Sequence, residues 1–196
     1  MKNSIRIFVY LAVMVLLSAC IPKQDNLNIN SYAIDFKSNK SSFVNGSKSI
    51  YVEIPSVNKS FNQYSIFYTT KPYLFEEYAL NRWINLPSYM IHNNLVQAIQ
   101  NSNVFETVLN EKSKIKFDYE LKTNVVNLYH SFESEKSYAI IKVRFDLISK
   151  DEVIKTFNYD KKILCETNNA YGFVIATNKA FEEVVKDLSL QLKQIK

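Results

Sequence analysis

Ile115-Lys-Phe-Asp-Tyr-Glu-Leu-Lys122 opens the stretch whose pattern decides the fold. Ile115, Phe117, Tyr119, Leu121 and Val125 share one parity, and Lys116, Asp118, Glu120 and Lys122 share the other. Side chains alternate across a β-strand, so this predicts a strand with one apolar and one charged face. A turn is expected near His130–Lys136. Beyond it Ala139, Ile141, Val143, Phe145 and Leu147 alternate with Lys142, Arg144 and Asp146. Lys150-Asp151 predicts a short hairpin turn, from which Val153 to Cys165 returns. Three such strands in succession form an antiparallel meander with one wet face.

Downstream, Thr177, Phe181, Val184, Leu188, Leu192 and Ile195 step by three or four, which is the apolar stripe of a helix laid on a core. Upstream, Asn85-Leu-Pro87 predicts a helix start, because proline is tolerated in the first turn. Met90, Ile91, Leu95, Ala98 and Ile99 continue that helix until Asn101-Ser102-Asn103 stops it, and Val104–Leu109 reads as a short strand. Earlier alternations place strands at Ser31–Phe36, at Ile50–Ile54 ended by Pro55, at Tyr64–Tyr68, and at Tyr73–Leu80 after Pro72. In the second of these, Ile50, Val52 and Ile54 are expected on one face and Tyr51 and Glu53 on the other. Lys37–Lys48, with Asn45-Gly46, reads as a loop. The expected fold class is α+β: a two-layer α/β sandwich whose mostly antiparallel sheet carries two main helices.

The N-terminus has a different character. Lys2 and Arg6 precede an apolar run from Ile7 to Leu17, and Leu17-Ser18-Ala19-Cys20 follows. A positive start, a short apolar segment and small residues before a cleavage point are the parts of an export signal. The run is shorter than the roughly 20 apolar residues of a membrane span. Leu17-Ser18-Ala19-Cys20 resembles the lipobox of bacterial lipoproteins. That resemblance implies cleavage before Cys20, a diacylglyceryl group on its sulfur and acylation of the freed amine. Each buried methylene contributes roughly 0.8 kcal/mol, so several acyl chains hold a protein to a membrane almost irreversibly. Ile21, where an aspartate would signal inner-membrane retention in some bacteria, points to the outer membrane. The expected organisation is a signal peptide over 1–19, a lipidated cysteine and tether over 20–30, and a single periplasmic domain over 31–196.

Bulk composition narrows the function. An apolar fraction of 47% with four prolines and two glycines fits one folded domain. Of the formal charge of +5, Lys2 and Arg6 supply two, and the other lysines are scattered. Nucleic acid is therefore not an expected partner, since it calls for a basic patch or stripe. With Cys20 acylated, Cys165 has no disulfide partner in the chain and reads as a small buried hydrophobe. Two glycines cannot write a phosphate loop or a dinucleotide fingerprint, and Cys165, His92 and His130 stand apart in sequence. Glu76-Glu77 and Glu182-Glu183 are adjacent, so each pair points in different directions. No catalytic, cofactor-binding or metal-ligating residue is expected, and an enzyme is disfavoured.

Thirteen tyrosines, thirteen phenylalanines and Trp83 make 14% of the chain aromatic. Phe145, Phe157 and Phe181 belong to the expected core. Tyr64, Phe67, Tyr68, Tyr73, Phe75, Tyr78 and Trp83 crowd one short segment and are harder to bury together. Rings with an apolar body and a polar tip suit interfaces, so Tyr73, Phe75, Tyr78 and Trp83 form the candidate partner surface.

Ser31-Tyr-Ala-Ile-Asp-Phe36, Ile50-Tyr-Val-Glu-Ile-Pro55, Tyr64-Ser-Ile-Phe-Tyr68 and Tyr78-Ala-Leu-Asn-Arg-Trp83-Ile-Asn-Leu-Pro87 follow one another in an order that resembles the ABC-type transport auxiliary lipoproteins, the group of paraquat-inducible protein C. Phe105-Glu-Thr-Val108 after the helix and Asn178-Lys-Ala-Phe181 in the closing helix extend the likeness over most of the mature chain. It departs in a long loop after the first strand and a Tyr- and Asn-heavy composition. The resemblance implies a docking component, without ATPase activity, for an MCE-domain protein and its ABC transporter permease and ATPase, which move phospholipid or other lipid between membranes. Phospholipid contact and association with a second copy are left open. Two alternatives stand beside it: a lipoprotein of another envelope machine such as lipopolysaccharide assembly, and a periplasmic enzyme of unfamiliar type.

Overall fold

In the computed structural model of the chain, residues 28–41, 46–112 and 114–195 are described. Cys20 and the expected export signal over 1–19 lie outside them. Among the described residues nine strands make one sheet: β1 (Asn30–Tyr32), β2 (Ser49–Val52), β3 (Ser56–Val57), β4 (Ser65–Lys71), β5 (Leu74–Trp83), β6 (Thr107–Leu109), β7 (Tyr119–Glu133), β8 (Lys136–Ser149) and β9 (Glu152–Leu164). Helix α1 (Pro87–Asn101) lies between β5 and β6, and α2 (Ala170–Lys193) closes the chain. The α+β class is thus observed, with both helices packed on a large, mostly antiparallel sheet.

The meander is its backbone. β7 and β8 pair antiparallel from Glu120↔Ile148 to Glu133↔Lys136, and β8 and β9 pair from Ser149↔Glu152 to Tyr138↔Leu164. Leu121, Val125, Ala139, Ile141, Val143, Phe145 and Leu147 are buried, as their parity requires. α2 lies across β8 and β9 through Phe181, Val184, Leu188 and Leu192, with α1 beside it against β2, β3 and β6. The other edge of β7 is shared by three strands in turn, all parallel to it: β2 at Tyr119–Leu121, β3 at Asn124 and Val125, and β4 at His130 and Ser131. From β4 the sheet continues antiparallel to β5, and β1 pairs parallel with β5 at the edge.

Several expected boundaries move, each for a local reason. The strand expected from Ile115 begins at Tyr119, because Asp118 accepts from the Ser49 amide at 2.8 Å and the Ser49 hydroxyl at 2.9 Å; Ile115 is exposed. That clasp and Lys48 hold the Asp118 carboxyl down at about 2, the Ser49 amide being the largest cause. The turn expected at His130–Lys136 is confined to Ser134-Glu135, so His130 sits inside β7. Ser31–Phe36 pairs only through Tyr32; the amides of Asp35 and Lys37 donate instead to Asn178 and Glu182 of α2, at 2.7 and 3.0 Å. Ile34 and Phe36 are nevertheless buried. Pro55 separates β2 from β3, which leaves Ile54 exposed, while Tyr51 is buried against Phe117 with ring centres 5.3 Å apart. Of Val104–Leu109 only Thr107–Leu109 pairs, Val104 and Phe105 entering the core. Asn30, expected as the end of the tether, is the first residue of β1.

α1 starts where Pro87 predicts. Its first turn lacks a capping side chain of its own, and Asn62 supplies one by accepting from the Ser88 amide at 3.1 Å. His92 of α1 is buried with Nε2 3.0 Å from the Val52 carbonyl, a core role.

Candidate functional site: the aromatic end of the sheet

β4 and β5 form a hairpin that stands beside the C-terminal half of β7. Its ladder has irregularities between Ser65 and Phe67 and between Tyr68 and Lys71. Each shift changes which face the next side chain takes, so the aromatic segment is divided rather than presented as one surface.

One set of rings points toward α2. Trp83 is 2% exposed and lies 5.9 Å from Phe173 of α2, ring to ring. His130 stacks on Phe173 at 5.2 Å and packs against Phe132 at 4.3 Å. Tyr78 meets Tyr68 at 4.7 Å, and its hydroxyl lies 2.7 Å from His130 Nδ1. A second set comprises Phe61, Phe67, Phe75 and Tyr129, with Phe75 edge-on to Tyr129 at 5.1 Å and Phe61 5.8 Å from both. At the tip, Tyr73 is fully exposed and Phe75 is 47% exposed. The four expected surface residues therefore part company. Tyr73 and Phe75 are on the surface, Tyr78 is half-buried, and Trp83 is a core residue whose indole fills the space under the N-terminal turns of α2. Trp83 is thereby removed from any partner surface.

The fold also brings together two residues that stand apart in sequence. Antiparallel pairing of β8 with both neighbours sets Cys165 Sγ 3.6 Å from His130 Nε2. Both are buried. Burial lowers the His130 pKa to about 4 and raises that of the Cys165 thiol, although hydrogen bonds from Ser137 and the Ala139 backbone offset part of the latter. Burial, then Tyr68 and Cys165, also raises the Tyr78 phenol well above its ordinary value. At neutral pH the trio is therefore a neutral phenol, a neutral imidazole and a thiol. A nucleophilic cysteine needs the reverse, a thiolate beside a cation. With the phenol donating to Nδ1, the imidazole carries its proton on Nε2, toward the sulfur. This is a satisfied polar core, consistent with the buried small-hydrophobe reading of Cys165.

α2 begins directly under these rings. Asn169 caps it by accepting from the Gly172 amide at 2.9 Å. A side chain at Gly172 would collide with the Thr167 carbonyl oxygen, so only glycine allows the loop after β9 to fold this closely onto the helix. Among the described residues no group of three or more His, Cys, Asp or Glu is placed to hold a metal ion, and no helix is long and apolar enough to cross a membrane.

The fold recurs among solved proteins. A Xanthomonas campestris protein of the DUF330 family superposes with a TM-score of 0.73 at 17% identity, covering 84% of this chain and 97% of its own. A second solved protein gives 0.69 at 11% identity over 84% and 99% of the two chains. A Chlamydia trachomatis hypothetical protein gives 0.51 at 6% identity over 75% and 98%. At these identities the likeness is one of fold. No protein-family model matches the chain, and no curated protein matches it in sequence.

Proposed function

We propose that the chain is an envelope lipoprotein, acylated on Cys20 and facing the periplasm, that serves as the docking component of an ABC-type MCE lipid-transport system. The observation that carries the lipoprotein part is Leu17-Ser18-Ala19-Cys20 behind a basic start and a short apolar run. The fold is compatible with that arrangement, since Asn28 and Ile29 are exposed and enter the domain at the sheet edge through β1. The transport assignment rests on the ordered segments from Ser31 to Pro87 that resemble the auxiliary lipoproteins. In this reading the domain performs no chemistry. Lipid holds it at the membrane, the outer membrane by the Ile21 criterion, and its folded body binds the MCE-domain protein.

The test is mild crosslinking and affinity recovery of the native lipoprotein from membranes, followed by mass spectrometry. Recovery of an MCE-domain protein with its permease and ATPase is the expected result. Recovery of lipopolysaccharide-assembly proteins, or of no MCE-domain protein, would remove the transport assignment and leave the lipid anchor to be judged by itself.

A further inference from the structure

We infer that the tip of the β4–β5 hairpin, Tyr73-Leu74-Phe75, is a foot that rests in the surface of the membrane to which Cys20 is anchored. This builds on the acylated-anchor reading and does not depend on the transporter assignment.

The first observation is the tip itself. Every residue from Thr70 to Glu77 is exposed, and the run includes three consecutive large apolar side chains, Tyr73 fully exposed, Leu74 37% and Phe75 47%. Tyr73 has φ 69°, the positive value that a type II turn requires at its third position, Pro72 taking the second. Glycine or asparagine would take that conformation with little strain, whereas a bulky L-residue is disfavoured there. A strained, fully exposed aromatic ring contributes nothing to the fold.

The second observation is direction. β1 runs parallel to β5, with Asn30 opposite Asn81. The chain before Asn30 therefore leaves the sheet toward the start of β5, the end that carries Tyr73. From Asn81 back to Leu74 is about seven residues, or roughly 24 Å along a strand. From Asn30 back to Cys20 is about ten residues, which span at most ~35 Å. The anchor thus leaves the domain on the side of the tip and has the length to let the tip reach the lipid. The β8–β9 turn lies at the opposite end, next to the start of β7, because Ile148 pairs with Glu120.

The chemistry of the tip suits a lipid surface. Tyrosine and phenylalanine settle at the boundary of headgroups and acyl chains, and a lysine stem such as that of exposed Lys71 lets its ammonium reach the headgroups. Backbone polarity at the tip is reduced: Pro72 has no N–H, and the Lys71 carbonyl accepts from the Thr69 hydroxyl at 2.7 Å. Glu76 and Glu77, exposed immediately after Phe75, limit entry to the tip. A protein surface as occupant has no comparable support in the direction of the anchor.

The test uses the full-length lipidated chain in vesicles of phosphatidylethanolamine and phosphatidylglycerol doped with acyl-brominated phosphatidylcholine. The chain is compared as such, as Tyr73→Trp, and as Val153→Trp, a 56%-exposed position beside the β8–β9 turn. Tyr73→Trp emission should be quenched about twofold by the bromines, because interfacial side chains sit ~5–10 Å into the headgroup boundary. Buried Trp83 and the Val153→Trp fluorophore should be unaffected. Mass spectrometry of the same sample reads the acyl groups on Cys20. An acylated chain with unquenched Tyr73→Trp emission, or with equal quenching at Val153→Trp, overturns the foot and leaves the anchor intact. So does a crosslink from position 73 to a protein in native membranes. An unacylated chain overturns the anchor and the foot with it.

Discussion

The turn joining β4 to β5 and the turn joining β8 to β9 meet the same geometric demand at opposite ends of the sheet. In the first, Tyr73 is held at φ 69°; in the second, Lys150 has φ 50° and Asp151 φ 65°. A two-residue hairpin with both central residues at positive φ matches the twist of the strands, and aspartate is among the few side chains that tolerate it. Lys150-Asp151 is charged and exposed, so although Lys150 bears the same backbone strain as Tyr73, its side chain is satisfied by water. The Tyr73 ring is not. Its neighbours differ as well: Tyr73 is followed by Leu74 and Phe75, and behind them β5 leads inward to a buried wall of rings. The charged turn is rooted differently: Glu152, Val153 and Ile154 beyond it are exposed, and its strands lead to Phe145, Leu147 and Phe157 in the core rather than to Trp83 and its neighbours. A turn that carries apolar rings at the tip and is fixed at the base is built to present those rings to something.

The largest effect should come from cutting that root. Trp83→Ala removes a fully buried indole packed on Phe173 and should lower stability by about 3–5 kcal/mol. A truncation at the exposed tip of the other hairpin, Val153→Ala, should stay within roughly 0.5 kcal/mol. Urea denaturation of the two variants checks both, and comparable losses would mean that Trp83 holds the fold no more than the exposed Val153 does.

Next in size is an acid effect at the aromatic end. His130 is inaccessible to solvent, and burial depresses its pKa from 6.5 to about 4. The unfolded chain takes up a proton near pH 6.5 that the folded chain refuses. Stability is therefore full above pH 6.5, falls as the pH drops toward 4, and then levels off after a loss of roughly 3 kcal/mol. His130→Gln, which keeps an acceptor for Tyr78, should flatten that part of the curve. Unfolding free energies measured between pH 7 and 4 decide it; parallel curves for the two chains would mean that His130 protonates in place.

How much of this was legible in the sequence depends on the range of the forces involved. The meander and the α2 stripe follow from alternation within single segments, and they stand where Leu121–Val125, Ala139–Leu147 and Thr177–Leu192 predicted them. The predictions slipped where a distant side chain competes for the backbone: Asn178 and Glu182 take the amides after β1, and Ser49 takes Asp118 away from the strand. The three parallel ladders on one edge of β7 have no local signature, since they depend on which segments meet. The aromatic segment stood out by composition, but its division into buried Trp83 and exposed Tyr73 turns on irregularities in the β4–β5 ladder that no periodicity shows. The His130–Cys165 contact was hidden for the same reason, being made by two strand pairings rather than by spacing.

The smallest effect is the one that separates folding from function most cleanly. If Tyr73 is retained for its ring and against its backbone, then Tyr73→Asn should raise stability, because asparagine accepts the left-handed conformation that tyrosine resists. The strain relieved is about 1 kcal/mol, and the exposed ring offers no packing to lose. Asp151→Asn should change stability by less than roughly 0.5 kcal/mol, one tolerant residue replacing another at an exposed turn. Urea denaturation of the two variants reads the difference. A gain at position 73 with none at 151 is the pattern of a site where stability is given up for contact with something outside the molecule. A loss at position 73 would mean that the tyrosine supports the turn itself, and the contrast between the two hairpins would then be one of packing.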